Sequence, residues 1–167
     1  MIKNEELKLI EELGKIRFLD SDKEDDDEME EEIEEKIERY ENILFKLSES
    51  KEVSIISKLC SIAEDKATEL SAVEYLLKVI LKIVRNNDIE QGINQIIEGT
   101  LYMVPKARQK AIKLHIWILK DGNLRGKYID ALKNTQYEKK TVIKELLKEI
   151  MIMFKDEFNI NEILQQI

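Results

Sequence analysis

The chain has 167 residues, of which 43% are hydrophobic and 37% charged, with a net charge of −8, five Gly and one Pro. A chain of this length buries roughly 70% of its unfolded surface without staples, and the mix excludes both a disordered segment and a turn-rich sheet protein. Net acidity speaks against nucleic acid as the main partner, no apolar run approaches a membrane span, and Cys60, the only cysteine, leaves no internal disulfide and favours a cytoplasmic setting.

In chain order, Met1 to Glu6 is acidic and has no apolar signal core. Leu7, Ile10 and Leu13 put one apolar stripe on a first helix, with Gly14 expected to end or bend it. Residues 20–35 then hold 12 acidic side chains against one lysine, a net of −11, which leaves +3 for the rest of the chain. Such a run is ordinarily a solvated loop or a helix start, where carboxylates favour the dipole. A calcium loop is also conceivable, because Asp20, Asp22, Glu24 and Glu31 fall at its ligand spacings. The glycine required at its sixth position is replaced by Asp25, which argues against it.

Ile33, Ile37, Tyr40, Leu44 and Leu47 form a clear helical stripe, broken at Ser48-Glu49-Ser50. Val53, Ile56, Leu59, Cys60 and Ala63 form the next. Ser71 with Glu74 reads as a capping box, opening a helix with Val73, Leu76, Leu77, Ile80, Leu81 and Val84. Asn86-Asn87-Asp88 is a stop and a start, followed by Ile89, Ile93, Ile96, Ile97 and Leu101. Pro105 suits a first helical turn. The helix after it is apolar on nearly every side, from Ala107 through Trp117 to Leu119, and is expected to be central. Asp121-Gly122-Asn123 is a turn signal, leading to a short helix from about Leu124 to Lys133. Thr135 with Glu138 reads as a second capping box before Val142, Ile143, Leu146, Leu147, Ile150, Met151 and Phe154. Asn159 or Asn161 is placed to cap a last short helix.

Helix pairs beginning near Lys51, Asp88 and Leu124 recur at the spacing of stacked helical hairpins. The expected fold is all-α: a short HEAT-like stack of about eight helices in a single domain over residues 1–167, with an acidic loop or helix start at about 20–35. A closed helical bundle is the alternative.

No catalytic or phosphate-binding motif occurs. His115, the only histidine, has no partner at metal-ligand spacing and reads as a satisfied core or boundary residue. Cys60 sits on a helical stripe and reads as a small apolar side chain. No cofactor, metal or catalytic residue is expected, and the partner is expected to be a protein. Acidic residues suit a basic partner surface and speed its capture. The candidate contacts are Asp25, Asp26, Asp27, Glu28, Glu31, Glu32 and Glu35. Residues 102–148 carry 12 Lys/Arg against four Asp/Glu, a net of +8. In that half Trp117, the only tryptophan, and Tyr128 are further candidate contacts, with Tyr102 and Tyr137 beside them.

Three stretches carry a family likeness: Tyr75-Leu76-Leu77-Lys78-Val79-Ile80 leading to Asp88-Ile89-Glu90; Leu114-His115-Ile116-Trp117-Ile118-Leu119, ending at a short polar turn; and Lys127-Tyr128-Ile129-Asp130-Ala131-Leu132-Lys133, then Glu138-Lys139-Lys140 and Ile143-Lys144-Glu145-Leu146-Leu147-Lys148-Glu149-Ile150. Over about 75–150 the chain resembles the immunity protein 30 family of bacterial polymorphic toxin systems, with the acidic run outside the likeness. The resemblance implies an all-α protein that binds a cognate toxin domain and blocks it in the cytoplasm of the cell that makes both. A toxin acting on nucleic acid would offer a basic cleft to the acidic run. Outside the resemblance, a HEAT-like scaffold with a housekeeping partner or a metal-dependent helical enzyme would share these features.

Overall fold

Each apolar stripe becomes a helix that buries it. The computed structural model describes residues 2–18, 27–66 and 70–167, the side chains of 27–31 and 70–73 apart, and among them there are nine helices and no strand. They are α1 (Asn4–Ile16), α2 (Asp27–Ser48), α3 (Ile55–Ile62), α4 (Leu70–Asn86), α5 (Ile89–Met103), α6 (Arg108–Lys120), α7 (Gly122–Asn134), α8 (Tyr137–Met153) and α9 (Ile160–Gln166).

The helices form two layers. α1, α3, α5 and α7 pack side by side in one; α2 packs on α4, and α6 on α8, in the other. The first helices of successive pairs open at Ile55, Ile89 and Gly122, so the repeat expected from the sequence is the repeat of the stack. α5 touches α3, α4, α6, α7 and α8 and takes the middle position expected of α6. α6 buries most of its residues, but Gln109 and Lys120 remain exposed and Trp117 is half-buried.

Several expected helix ends are built differently. Gly14 neither ends nor breaks α1, which continues to Ile16 with Gly14 lying over Ile62 of α3. Pro105 falls in the turn before α6 rather than in its first helical turn. Thr135 does not cap α8: its hydroxyl donates back to the Ala131 carbonyl at 2.8 Å, and Gln136 at the cap position makes no side-chain bond. Asn159 precedes α9 in a left-handed conformation, while Asp156 accepts the Asn161 amide at 3.3 Å and the Ile160 amide. The Ser71 side chain lies outside the described residues.

Side chains lock one turn to the next along an edge of the stack. Ser50 donates to Glu6 at 2.6 Å, and Asn87 donates to the Ser50 carbonyl at 3.0 Å. Arg85 reaches Asp121 at 2.7 Å, and Arg125 donates to the Phe158 carbonyl at 2.6 Å.

α3 and α5 approach so closely that a Cβ at Gly99 would lie 2.5 Å from the Cys60 Cβ. Gly126, midway along α7, has nothing within 4 Å of that position. Gly99→Ala is therefore expected to cost about 1–3 kcal/mol through overpacking. Gly126→Ala is expected to gain about 0.5–1 kcal/mol from helix entropy. Urea unfolding midpoints check both, and equal responses would contradict the close approach.

Candidate partner-binding surface

The two ends of the chain present different chemistry. Of the acidic candidates, Asp25 and Asp26 lie outside the described residues, as do the side chains of Asp27, Glu28 and Glu31; of the calcium-like loop, residues 20–26 lie outside them and residues 27–31 are helical in α2. α2 opens at Asp27, so the later part of the acidic run begins a helix, where its carboxylates complement the dipole. Glu32 and Glu35 are exposed on that helix and line a crevice against α1 with Glu12, Lys15, Lys36 and Arg39. Arg39 is paired with Glu12 across it.

The aromatic candidates separate. Tyr128 is wholly buried and offers a partner no surface in this fold. Its ring packs beside His115 with centroids 5.4 Å apart. Tyr102 and Tyr137 are exposed, on α5 and at the start of α8. Trp117 is half-buried on α6 and lines a groove against α4 that neither tyrosine reaches.

Tyr128 is held by a buried polar chain across three helices. The Thr100 hydroxyl donates to the Ile96 carbonyl at 2.8 Å, which leaves its oxygen to accept from His115 Nε2 at 2.9 Å. His115 Nδ1 then accepts from the Tyr128 hydroxyl at 2.6 Å. Every member has a partner, as a buried polar network requires. Burial lowers His115 to about 4 and holds it neutral, while burial raises the Tyr128 phenol above its ordinary range. Burial likewise pushes the Cys60 thiol up to about 12, which makes it a core side chain rather than a thiolate nucleophile. Among the described residues no group of His, Cys, Asp and Glu is arranged to hold a metal ion, and no described helix is long and apolar enough to cross a membrane.

Two contributors had no local sequence signal. Asp65, in the link after α3, accepts the backbone amides of Gln109 at 2.9 Å and Lys110 at 3.2 Å, and so caps α6 from 44 residues away. The cap position itself is Ala107, which has no group to do so. Arg85 donates to Asp121, which also accepts the amides of Asn123 at 2.9 Å and Leu124 at 3.2 Å. The Arg85 hydrogen bond is the main reason the Asp121 carboxyl titrates below the usual range.

Two outcomes follow from this geometry. A free imidazole protonates near 6.5, so below that pH the unfolded chain takes up a proton that folded His115 refuses until about 4. His115 therefore contributes fully to stability above 6.5, loses about 3 kcal/mol as pH falls from 6.5 to 4, and changes little below. Unfolding free energies of the parent chain and His115→Gln across that window check it; equal slopes would mean that the folded imidazole protonates normally. Asp65→Ala is expected to cost about 1 kcal/mol by removing the cap, measured as a shift in the urea midpoint.

The model of the immunity protein 30 family matches residues 28–128, from the start of α2 to Tyr128 in α7. It reaches further upstream than the likeness at 75–150, takes in the later acidic residues that the likeness left out, and stops before α8. Neither the curated proteins nor the solved structures contain a match. The match covers more than half of the 167 residues, and the chain belongs to the immunity protein 30 family.

Proposed function

We propose that the chain is an immunity protein that binds a cognate bacterial toxin domain and occludes its active site in the cytoplasm of the producing cell. The family match over residues 28–128 carries this reading. The acidic residues at the start of α2 add a physical preference for a basic partner: Glu32, Glu34, Glu35 and Glu38 are exposed there on a chain of net charge −8. A nuclease cleft is basic because it holds phosphates. Carboxylates inserted there would meet an opposite potential and exclude substrate.

Co-expression tests the function. If the immunity reading holds, a domain encoded beside this gene is expected to arrest growth alone and to be harmless together with this chain; the lack of such a neighbour, or persistent arrest, would reject the immunity role. The acidic contact has its own test. Glu32→Lys with Glu35→Lys is expected to slow association with that toxin domain about tenfold at low salt, with the difference fading as screening shortens to about 8 Å near physiological ionic strength. An unchanged association rate in stopped-flow mixing would remove these residues from the interface.

A further inference from the structure

The layer containing α2, α4, α6 and α8 does not close between α4 and α6, whose backbones hardly touch. Ion pairs bridge the gap at both ends: Lys113 with Glu74 at one, and Arg85 with Asp121 at 2.7 Å at the other. Glu74 to Arg85 is roughly 16 Å of helix at the usual rise. Between these bridges lies a groove of about 390 Å³, lined by Lys78, Leu81, Arg85, Trp117, Lys120 and Asp121.

Its chemistry runs against that of the whole molecule. The chain carries −8, yet the groove holds three cations against one carboxylate. That carboxylate is already engaged by Arg85 and by the amides of Asn123 and Leu124. Lys78 and Lys120 are exposed and neither lies within ion-pair distance of a carboxylate among the described residues, although Lys78, after Lys113, is one of the charges that lower the Glu74 pKa and Lys120 Nζ lies 5.6 Å from the Phe158 ring centroid. Trp117 packs partly on the core and leaves the rest of its ring at the groove, with Lys113 Nζ 5.5 Å from its centroid.

We propose that this groove receives an acidic segment of the toxin domain, whose carboxylates pair with Lys78 and Lys120 and whose apolar side chain lies on Trp117. The proposal rests on the immunity reading and names a second contact within it. The flanking tryptophan supplies the kind of half-buried anchor that dominates interface energetics. The open lysines supply charge complementarity. Nucleic acid fits less well, because a strand extending past the groove would meet Glu74 at its end and the acidic remainder of the chain.

Trp117 is the only tryptophan in the chain, so its emission reports on the groove. The experiment titrates the full chain with a tryptophan-free variant of the adjacent toxin domain and follows Trp117 emission and Kd. Expected are a shift in emission on binding and a loss of affinity of about tenfold or more for Lys78→Glu with Lys120→Glu, whose circular dichroism should match the parent. Parent-like affinity of that variant, with unshifted emission in a formed complex, would overturn the groove while leaving the immunity reading intact. Absence of any complex with the parent chain would overturn both. A short single-stranded DNA that shifts Trp117 emission where the toxin domain does not would replace the acidic segment with nucleic acid.

Discussion

The stack depends on how closely α3 and α5 meet. At Gly99 the absence of a side chain lets the Cys60 Cβ and Sγ come within the space a Cβ would fill, at 2.5 and 2.7 Å. The next residue, Thr100, faces the other way and holds His115 of α6. One turn of α5 thus sets two distances at once: from its own layer to α3, and from that layer to α6. Because interiors are close-packed, an error at that turn is transmitted rather than absorbed. Chemical variation at Cys60 is constrained by the same contact, and its raised thiol pKa follows from burial there.

Order along the stack comes from polar groups placed at the turns. Glu6, Ser50 and Asn87 connect the first three helix pairs, and Arg85 with Asp121 and Arg125 with the Phe158 carbonyl continue the series. Exposed ion pairs contribute little energy individually, about 0–1 kcal/mol. Their value here is in register: apolar stripes alone would let adjacent hairpins slide by a turn, whereas a hydrogen bond to a particular carbonyl would not. The buried Thr100–His115–Tyr128 chain serves the same purpose inside, since a slip would leave three polar groups unpaired in the core.

Helix content and the repeat were legible because both are written in local periodicity. The stripes at Ile33–Leu47 and Leu76–Val84 needed only the helical period to be read. His115 was legible as a core residue for the same reason. Tyr128 was misread because an aromatic residue in a basic, polar stretch looks exposed; its burial depends on His115, 13 residues earlier, meeting its hydroxyl. Thr135 and Pro105 were misread because a local capping signal competes with whatever the tertiary fold supplies, and at α6 the fold supplies Asp65. The α4–α6 groove had no sequence signal beyond Trp117, because Lys78 and Lys120 become neighbours only once the hairpins stack.

Tight and open packing fall on opposite layers. α1, α3, α5 and α7 form an unbroken row, whereas the facing row opens between α4 and α6. Where the facing row opens, Trp117 lines a surface above the buried Leu81, and ion pairs bridge the opening at both ends. Stability can thus be carried by one layer while the other is free to vary its surface. The charge is divided as well, with −11 in residues 20–35 and +8 in residues 102–148. A partner that engages both the start of α2 and the groove must present a basic and an acidic region at matching separation. Reversing its orientation would set like charges against each other at both places, so the polarity of the chain selects one docking orientation before any short-range contact forms.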